Sequence, residues 1–240
     1  MKRLLLIDAV EFPPERAGHP LSNVGRWFGR HIEGLSGVDF HAVASSRPDL
    51  KDVVADADGI IFSGSPRDAW SDDPAIVRLV DFMRETVNRG QPLLGVCFGH
   101  QILARAFGGT VARNPAGWEV GERNVTITAA GRECGLFEGM PETLRVIESH
   151  QDAVLSLPPD ATLLVENSHT PIQGFGIGSR AFGVQFHPEM DGILLRHLWA
   201  ERRERLRPAM PFKLDTALDT AGETPDAARI FANFVSLLNL

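Results

Sequence analysis

Residues 91–109 constrain this chain more than any other stretch. Gln91-Pro92 leads into Leu93-Leu94-Gly95-Val96, which passes through Cys97 into Phe98-Gly99-His100-Gln101-Ile102-Leu103-Ala104-Arg105-Ala106-Phe107 and stops at Gly108-Gly109. A short apolar run followed at once by a longer one predicts a buried strand turning directly into an apolar helix. A cysteine stands at the junction, with a glycine two residues to either side. That is the layout of a nucleophile elbow with sulfur in place of oxygen. Glycines there have no Cβ and let strand and helix approach closely. The Cys97 sulfur would stand at the helix N-terminus, where the dipole and free N–H groups favour a thiolate. The N–H of Phe98 would point at a developing oxyanion.

A cysteine nucleophile needs a base. Gly183-Val184-Gln185-Phe186-His187-Pro188-Glu189 offers one. Val184–Phe186 reads as a short strand stopped by Pro188. His187 is thereby displayed at a strand end, and Glu189 is placed to orient its imidazole. Cysteine, histidine and glutamate make a nucleophile, a base and an orienter of the base. Taken singly, a cysteine after an apolar strand is more often a buried small hydrophobe, and His-Pro-Glu is commonplace. In this order, each at a strand end, they point to catalysis. A third strand, Gly59–Phe62, ends in the turn Ser63-Gly64-Ser65-Pro66.

Gly-Val-Cys-Phe-Gly-His-Gln followed by Phe-His-Pro-Glu resembles the class I, triad-type glutamine amidotransferase family, with GMP synthase-like domains nearest. The likeness runs from Leu4 to about Met190. It implies Cys97, His187 and Glu189 as the catalytic residues, and N–H groups of Gly64, Ser65 and Phe98 as the oxyanion site. It implies that Gln101 contacts the substrate backbone, and that Ser149, His150 and Gln151 belong to a loop lining the glutamine pocket. In that loop Gln151 replaces the family's glycine, and His150 is expected to serve hydrogen bonding. The implied reaction is hydrolysis of the glutamine side-chain amide through a γ-glutamyl thioester, with ammonia passed to a synthase subunit. Two alternatives remain open: a stand-alone γ-glutamyl hydrolase or peptidase, and a non-catalytic regulatory relative. No P-loop and no Ser-Gly-Gly-x-Asp-Ser signature occurs in the sequence.

Strands and helices alternate from the N-terminus. Arg3–Ile7, Asp39–Ala44, Gly59–Phe62 and Leu93–Val96 are predicted strands. Leu21–Glu33, after a loop containing Pro13-Pro14, is a predicted helix. Another starts at Asp73-Pro74, an N-cap followed by proline at the first position; Ile76, Val77, Leu79, Val80, Met83 and Val87 form its apolar face, and Gly90 ends it. This is an α/β pattern: a doubly wound, mostly parallel sheet with flanking helices, flavodoxin-like if the family resemblance holds. Ligands bind such sheets at the carboxyl ends of strands, where Gly64 and Cys97 fall. Short runs at Val125–Thr128, Leu144–Ile147, Thr162–Val165 and Ile172–Phe175 predict a smaller antiparallel portion. Glu201–Arg205 is expected to be a solvated helix face. Residues 1–240 are expected to form one domain, with 208–240 as a C-terminal connector (Pro208 to about Pro225) and a closing helix over Ala227–Leu238. Trp70 and Trp118 fall near the predicted mouth.

Hydrophobic residues make up 43% of 240, enough for a sizeable core, and the net charge is −7 without any basic tract. Nucleic acid and anionic membrane are therefore not expected partners; the expected ligand is a small-molecule glutamine or γ-glutamyl compound. No apolar run reaches the length of a transmembrane helix. The two cysteines, Cys97 and Cys134, make no disulfide framework. A catalytic cysteine must stay reduced, which points to the cytoplasm. No cofactor is expected, and no Cys/His spacing suggests a metal.

Overall fold

In the computed structural model, residues 1–10, 12, 18, 19, 21–200, 202–209 and 213–238 are described. The Pro13-Pro14 loop lies outside them. Among the described residues nine strands form one sheet, in the order Val38–Ala44 (β2), Lys2–Asp8 (β1), Gly59–Phe62 (β3), Leu93–Val96 (β4), Ala181–Val184 (β11), Gly174–Ile177 (β10), Ala161–Glu166 (β9), Glu119–Ile127 (β6) and Thr143–His150 (β7). Strands β1 (Lys2–Asp8), β2 (Val38–Ala44), β3 (Gly59–Phe62), β4 (Leu93–Val96) and β11 (Ala181–Val184) are mutually parallel neighbours. Strands β10 (Gly174–Ile177), β9 (Ala161–Glu166), β6 (Glu119–Ile127) and β7 (Thr143–His150) continue it antiparallel. A separate ribbon pairs β5 (Thr110–Arg113) with β8 (Asp152–Ser156). The expected fold class stands.

Alternation along β1 explains the two layers. Leu4 and Leu6 face one core with Ile61, Leu94 and Val96, under α1 (Val24–Ile32) and the last helix, α9 (Pro225–Leu237). Leu5 and Ile7 face the other with Ile60, Phe62 and Leu93, under α2 (Leu50–Ala55), α3 (Pro74–Asn88) and α4 (Phe98–Ala106). Strands buried on both faces read as continuous apolar runs, which is why β1, β3 and β4 were legible. α3 starts as its sequence predicts: Asp73 accepts a hydrogen bond from the Ala75 N–H at 2.7 Å, and Pro74 is the first helical residue. Val77, expected on its apolar face, is 37% exposed, while Phe82 takes a core position.

Three expectations shift. The strand expected at Val184–Phe186 is Ala181–Val184. Its neighbour β4 turns away at Cys97, so beyond Val184 the chain has no parallel partner; instead Gln185 N–H bonds to Gln173 O and His187 N–H to Ile147 O. Ile172–Phe175 is displaced to Gly174–Ile177 by its antiparallel register with β11. Within the expected polar connector, Leu214–Asp219 folds as α8, with Leu214, Ala217 and Leu218 buried. Helices α5 (Ala129–Glu133), α6 (Gly192–Trp199) and α7 (Arg203–Leu206) are the remaining α-helices among the described residues. Among the described residues, no helix is long and apolar enough to cross a membrane.

Candidate active site

The elbow is built as the glycines require. A Cβ at Gly95 would lie 2.5 Å from the Gly99 carbonyl carbon, and one at Gly99 would lie 2.5 Å from the Phe62 oxygen. β4 can therefore enter α4 only with glycine on both sides of the cysteine. Cys97 takes φ 49°, ψ −98°, and is the sole non-glycine residue with positive φ among those described. Such a conformation costs about 1–3 kcal/mol and persists where its surroundings over-determine it. Cys97 N–H is tied to Val184 O at 2.8 Å and Cys97 O to the Gln101 N–H at 3.0 Å.

His187 and Glu189 come to the same place. His187 Nδ1 is 2.7 Å from Glu189 Oε1, both residues are buried, and Cys97 is near enough for its charge to act on the ring. Burial pulls the imidazole toward neutrality, but the charges of Glu189 and Cys97 outweigh it, and the pKa stands well above 6.5. Arg30 on α1 fixes the glutamate from behind: its Nη2 donates to Glu189 O at 2.6 Å and its Nη1 pairs with Asp191 at 2.7 Å.

Gly64 lies against the pair, since a Cβ there would fall 2.9 Å from His187 Cε1 and 3.6 Å from Cys97 Cβ. The buried Ser63 hydroxyl donates to Gly64 O at 2.9 Å and fixes the peptide joining Gly64 to Ser65. In a trans peptide the Ser65 N–H then points the opposite way. The Ser65 hydroxyl accepts from Arg67, whose guanidinium sits 5.6 Å from the Phe98 ring centroid and so bridges turn and elbow. Phe98 is the first residue of α4, where the N–H has no intrahelical partner.

The other expected residues are near but differently engaged. Gln101 is 3% exposed, and its Nε2 donates to Asp152 O at 2.9 Å and to Gln185 Oε1 at 3.0 Å. That nitrogen is committed inside the protein, while the residue still borders the cavity. Ser149 and His150 are the last residues of β7, so the expected loop shrinks to Gln151 alone, between β7 and β8. Ser149 Oγ accepts from the Trp199 indole at 2.9 Å, and Gln151 Oε1 from Arg113 at 3.0 Å.

His150 does more than bond a loop. Its Nδ1 is 2.9 Å from Asp152 O, and its Nε2 lies 3.3 Å from Glu119 and 3.2 Å from Glu148, all three residues buried. Burial alone would lower its pKa; the two carboxylates and the nearby Cys97 raise it to about 10. Burial pushes the Glu148 carboxyl up. Burial acts the same way on Glu119, but the nearby His150 ring and hydrogen bonds from Thr170 and Asn167 win and hold it low. The ligating atoms of Glu119, Glu148 and His150 lie within 4.8 Å of one another, a donor set of the kind that holds a divalent cation. Glu119, however, already accepts from Asn167, Thr170 and Gln173, and a proton on His150 supplies the positive charge.

Cys97, His187, Glu189, Gly64, Ser65, Gln101, Ser149, His150 and Gln151 border one cavity of about 610 Å³. Trp118 lines it too; Trp70 stands at 39% exposure, its indole donating to Asp152 at 2.9 Å. Arg202, expected on a solvated face, also lines the cavity, with its guanidinium 5.1 Å from the Trp199 ring centroid. Arg203 and Glu204 are exposed as expected, while Glu201 lies outside the described residues. Sequence reasoning passed over Gln185, whose Nε2 is 3.5 Å from Cys97 Sγ, although it stands two residues before His187. It also passed over Glu119 and Arg30, which carry no local signal.

An elbow cysteine facing a His-Glu pair at the carboxyl ends of a parallel sheet defines a class, and comparison with known proteins gives it a family. The chain belongs to the class-I glutamine amidotransferase family, whose sequence profile matches residues 32–197. It is 38% identical over 158 residues to gamma-glutamyl peptidase 5 of Arabidopsis thaliana, covering 65% of this chain and 62% of that one, less than two thirds of its length. It is 35% identical over 156 residues to a glutamine-hydrolyzing GMP synthase subunit of Pyrococcus abyssi, covering 64% of this chain and 78% of that one. In fold it is similar to a glutamine amidotransferase from Thermotoga maritima, with a TM-score of 0.76 at 22% identity over 100% of this chain and 99% of that one.

Proposed function

We propose that this chain, as one domain over residues 1–240, hydrolyses the γ-glutamyl C–N bond of glutamine and passes the ammonia to a synthase subunit. The observation that carries this reading is the buried 2.7 Å contact of His187 with Glu189 in a cavity that Cys97 also lines. The Cys97 sulfur attacks the side-chain carbonyl carbon, and Phe98, Gly64 and Ser65 N–H groups stabilise the oxyanion. As the C–N bond breaks, His187 gives its proton to the leaving nitrogen, and a γ-glutamyl thioester remains. Water then attacks the thioester, His187 takes its proton, and glutamate leaves with the sulfur restored. Glu189 keeps the imidazole oriented and stabilises its charged form. Gln101, Ser149, His150 and Gln151 shape the pocket around the glutamyl group.

A second reading, a γ-glutamyl peptidase in which an amine replaces ammonia as leaving group, is favoured by Gln151. Its side chain, held by Arg113, borders the cavity at the position where the family resemblance places glycine. Ammonia release from L-glutamine, measured beside amine release from a γ-glutamyl amide panel with Cys97→Ala as control, tests both. Cys97-dependent glutaminase activity supports the first reading, and activity confined to amides or peptides supports the second. Turnover surviving in Cys97→Ala refutes both. In the second case, Gln151→Gly should raise the ratio of kcat/KM for glutamine over γ-glutamyl amides; an unchanged ratio removes Gln151 from substrate choice.

A further inference from the structure

Gln185 is fully buried and has no part in the reaction as written above. Its place follows from sheet register. β11 pairs with β4 in parallel, Gly183 beside Gly95 and Val184 beside Val96, so the residue just after β11 comes level with Cys97. Its side chain makes two contacts. Oε1 accepts from Gln101 Nε2 at 3.0 Å, and Nε2 lies 3.5 Å from Cys97 Sγ. The first contact settles the direction of the second: with Oε1 taken by an N–H donor, the amide presents its own N–H to the sulfur.

Gln101 is itself held. Its amide nitrogen also donates to Asp152 O at 2.9 Å, a carbonyl approached from the other side by His150 Nδ1 at 2.9 Å. His150 in turn is seated between Glu119 and Glu148. A carbonyl and two carboxylates offer only acceptors, so the imidazole presents a donor on each side. A hydrogen-bonded run of fixed polarity thus leads from His150 Nδ1 through Asp152 O, Gln101 and Gln185 to the sulfur.

We propose that Gln185 is a positioning residue that donates a hydrogen bond to the Cys97 sulfur, stabilises the thiolate beside His187 and restrains its direction of attack. The alternative is a buried amide that only satisfies Gln101. The two differ in what the sulfur feels. Donation to an anion is stronger than donation to a neutral thiol, so the contact favours the ionised sulfur over its protonated form. A purely structural amide would leave the pH dependence of the thiol unchanged.

The test uses Gln185→Met, which keeps length and volume but removes the donor, and Gln185→Glu, which keeps an acceptor for Gln101 but turns an oxygen toward the sulfur. The first readout is the pH profile of iodoacetamide alkylation at Cys97, with Cys134 blocked or followed by peptide mapping. Its acid limb should move upward by about one pH unit in Gln185→Met, and further in Gln185→Glu. The second readout is kcat, expected to fall about 10- to 100-fold in Gln185→Met, with KM changed less than about threefold. If Gln185→Met fails to fold, Gln185→Glu carries the test alone. Alkylation profiles that superimpose on wild type in a folded variant overturn the proposal. The kcat readout rests on the proposed γ-glutamyl chemistry, whereas alkylation needs only the thiol. A wild-type protein silent on every γ-glutamyl amide would therefore sink that reaction and leave Gln185 still testable.

Discussion

The parallel and antiparallel halves of the sheet contribute to the site in opposite ways. The parallel half, β3, β4 and β11, holds groups through backbone geometry: a strained cysteine between glycines, a Gly64 turn without room for a Cβ, and a histidine just beyond a strand end. The antiparallel half, β6 and β7, holds groups through buried charge: Glu119 faces His150 across the ladder, with Glu148 beside it. Backbone geometry is local and leaves a mark in consecutive residues. Buried charge is assembled across strands, and its members depend on one another for their protonation.

If that contrast is right, substitutions in the parallel half should remove chemistry and spare stability. Cys97→Ala is the largest case: turnover should fall roughly 10⁶-fold with an unchanged unfolding midpoint, and a surviving rate would break the assignment. Glu189→Gln should lower kcat by roughly 10²- to 10⁴-fold, because an amide no longer balances the charge on His187; loss of binding alone, with kcat intact, would move Glu189 out of this role.

Substitutions in the antiparallel half should act first on stability. His150→Gln strands two buried carboxylates and should cost about 3–5 kcal/mol of stability, read by denaturant unfolding. The pH dependence sharpens this. The folded-state pKa of His150, about 10, lies above its unfolded value near 6.5. Its contribution is therefore complete below pH 6.5, declines as pH rises and is lost above about 10. Wild type should lose stability across that window more steeply than His150→Gln; parallel curves would refute the charged cluster. The smallest effect is expected where the segment after β3 touches the separate β5–β8 ribbon. Trp70→Phe removes the indole bond to Asp152 and should cost about 1 kcal/mol, with activity nearly unchanged.

The same contrast explains what the sequence revealed. Leu93–Gly99 and His187–Glu189 are contiguous, so the proposed nucleophile, base and orienter could be read from consecutive residues. The capping of α3 by Asp73 and Pro74 was equally local. Glu119 could not be found, because its partner is set by the register of β6 on β7. Gln101 was assigned to substrate by resemblance, yet its amide nitrogen is consumed by Asp152 and Gln185. Helix α8 was hidden because three buried residues, Leu214, Ala217 and Leu218, are too few for a clear periodic signal between polar neighbours.

The elbow sulfur and the amide that faces it are 88 positions apart in the chain. They meet only when β11 docks beside β4, after the whole intervening stretch has been made and placed. A chain emerging from synthesis thus carries Cys97 as an ordinary thiol, with neither base nor donor beside it. If His187 and Gln185 act on the sulfur as proposed, its reactivity switches on with closure of the sheet, and a fast-reacting Cys97 would report that the last central strand has arrived.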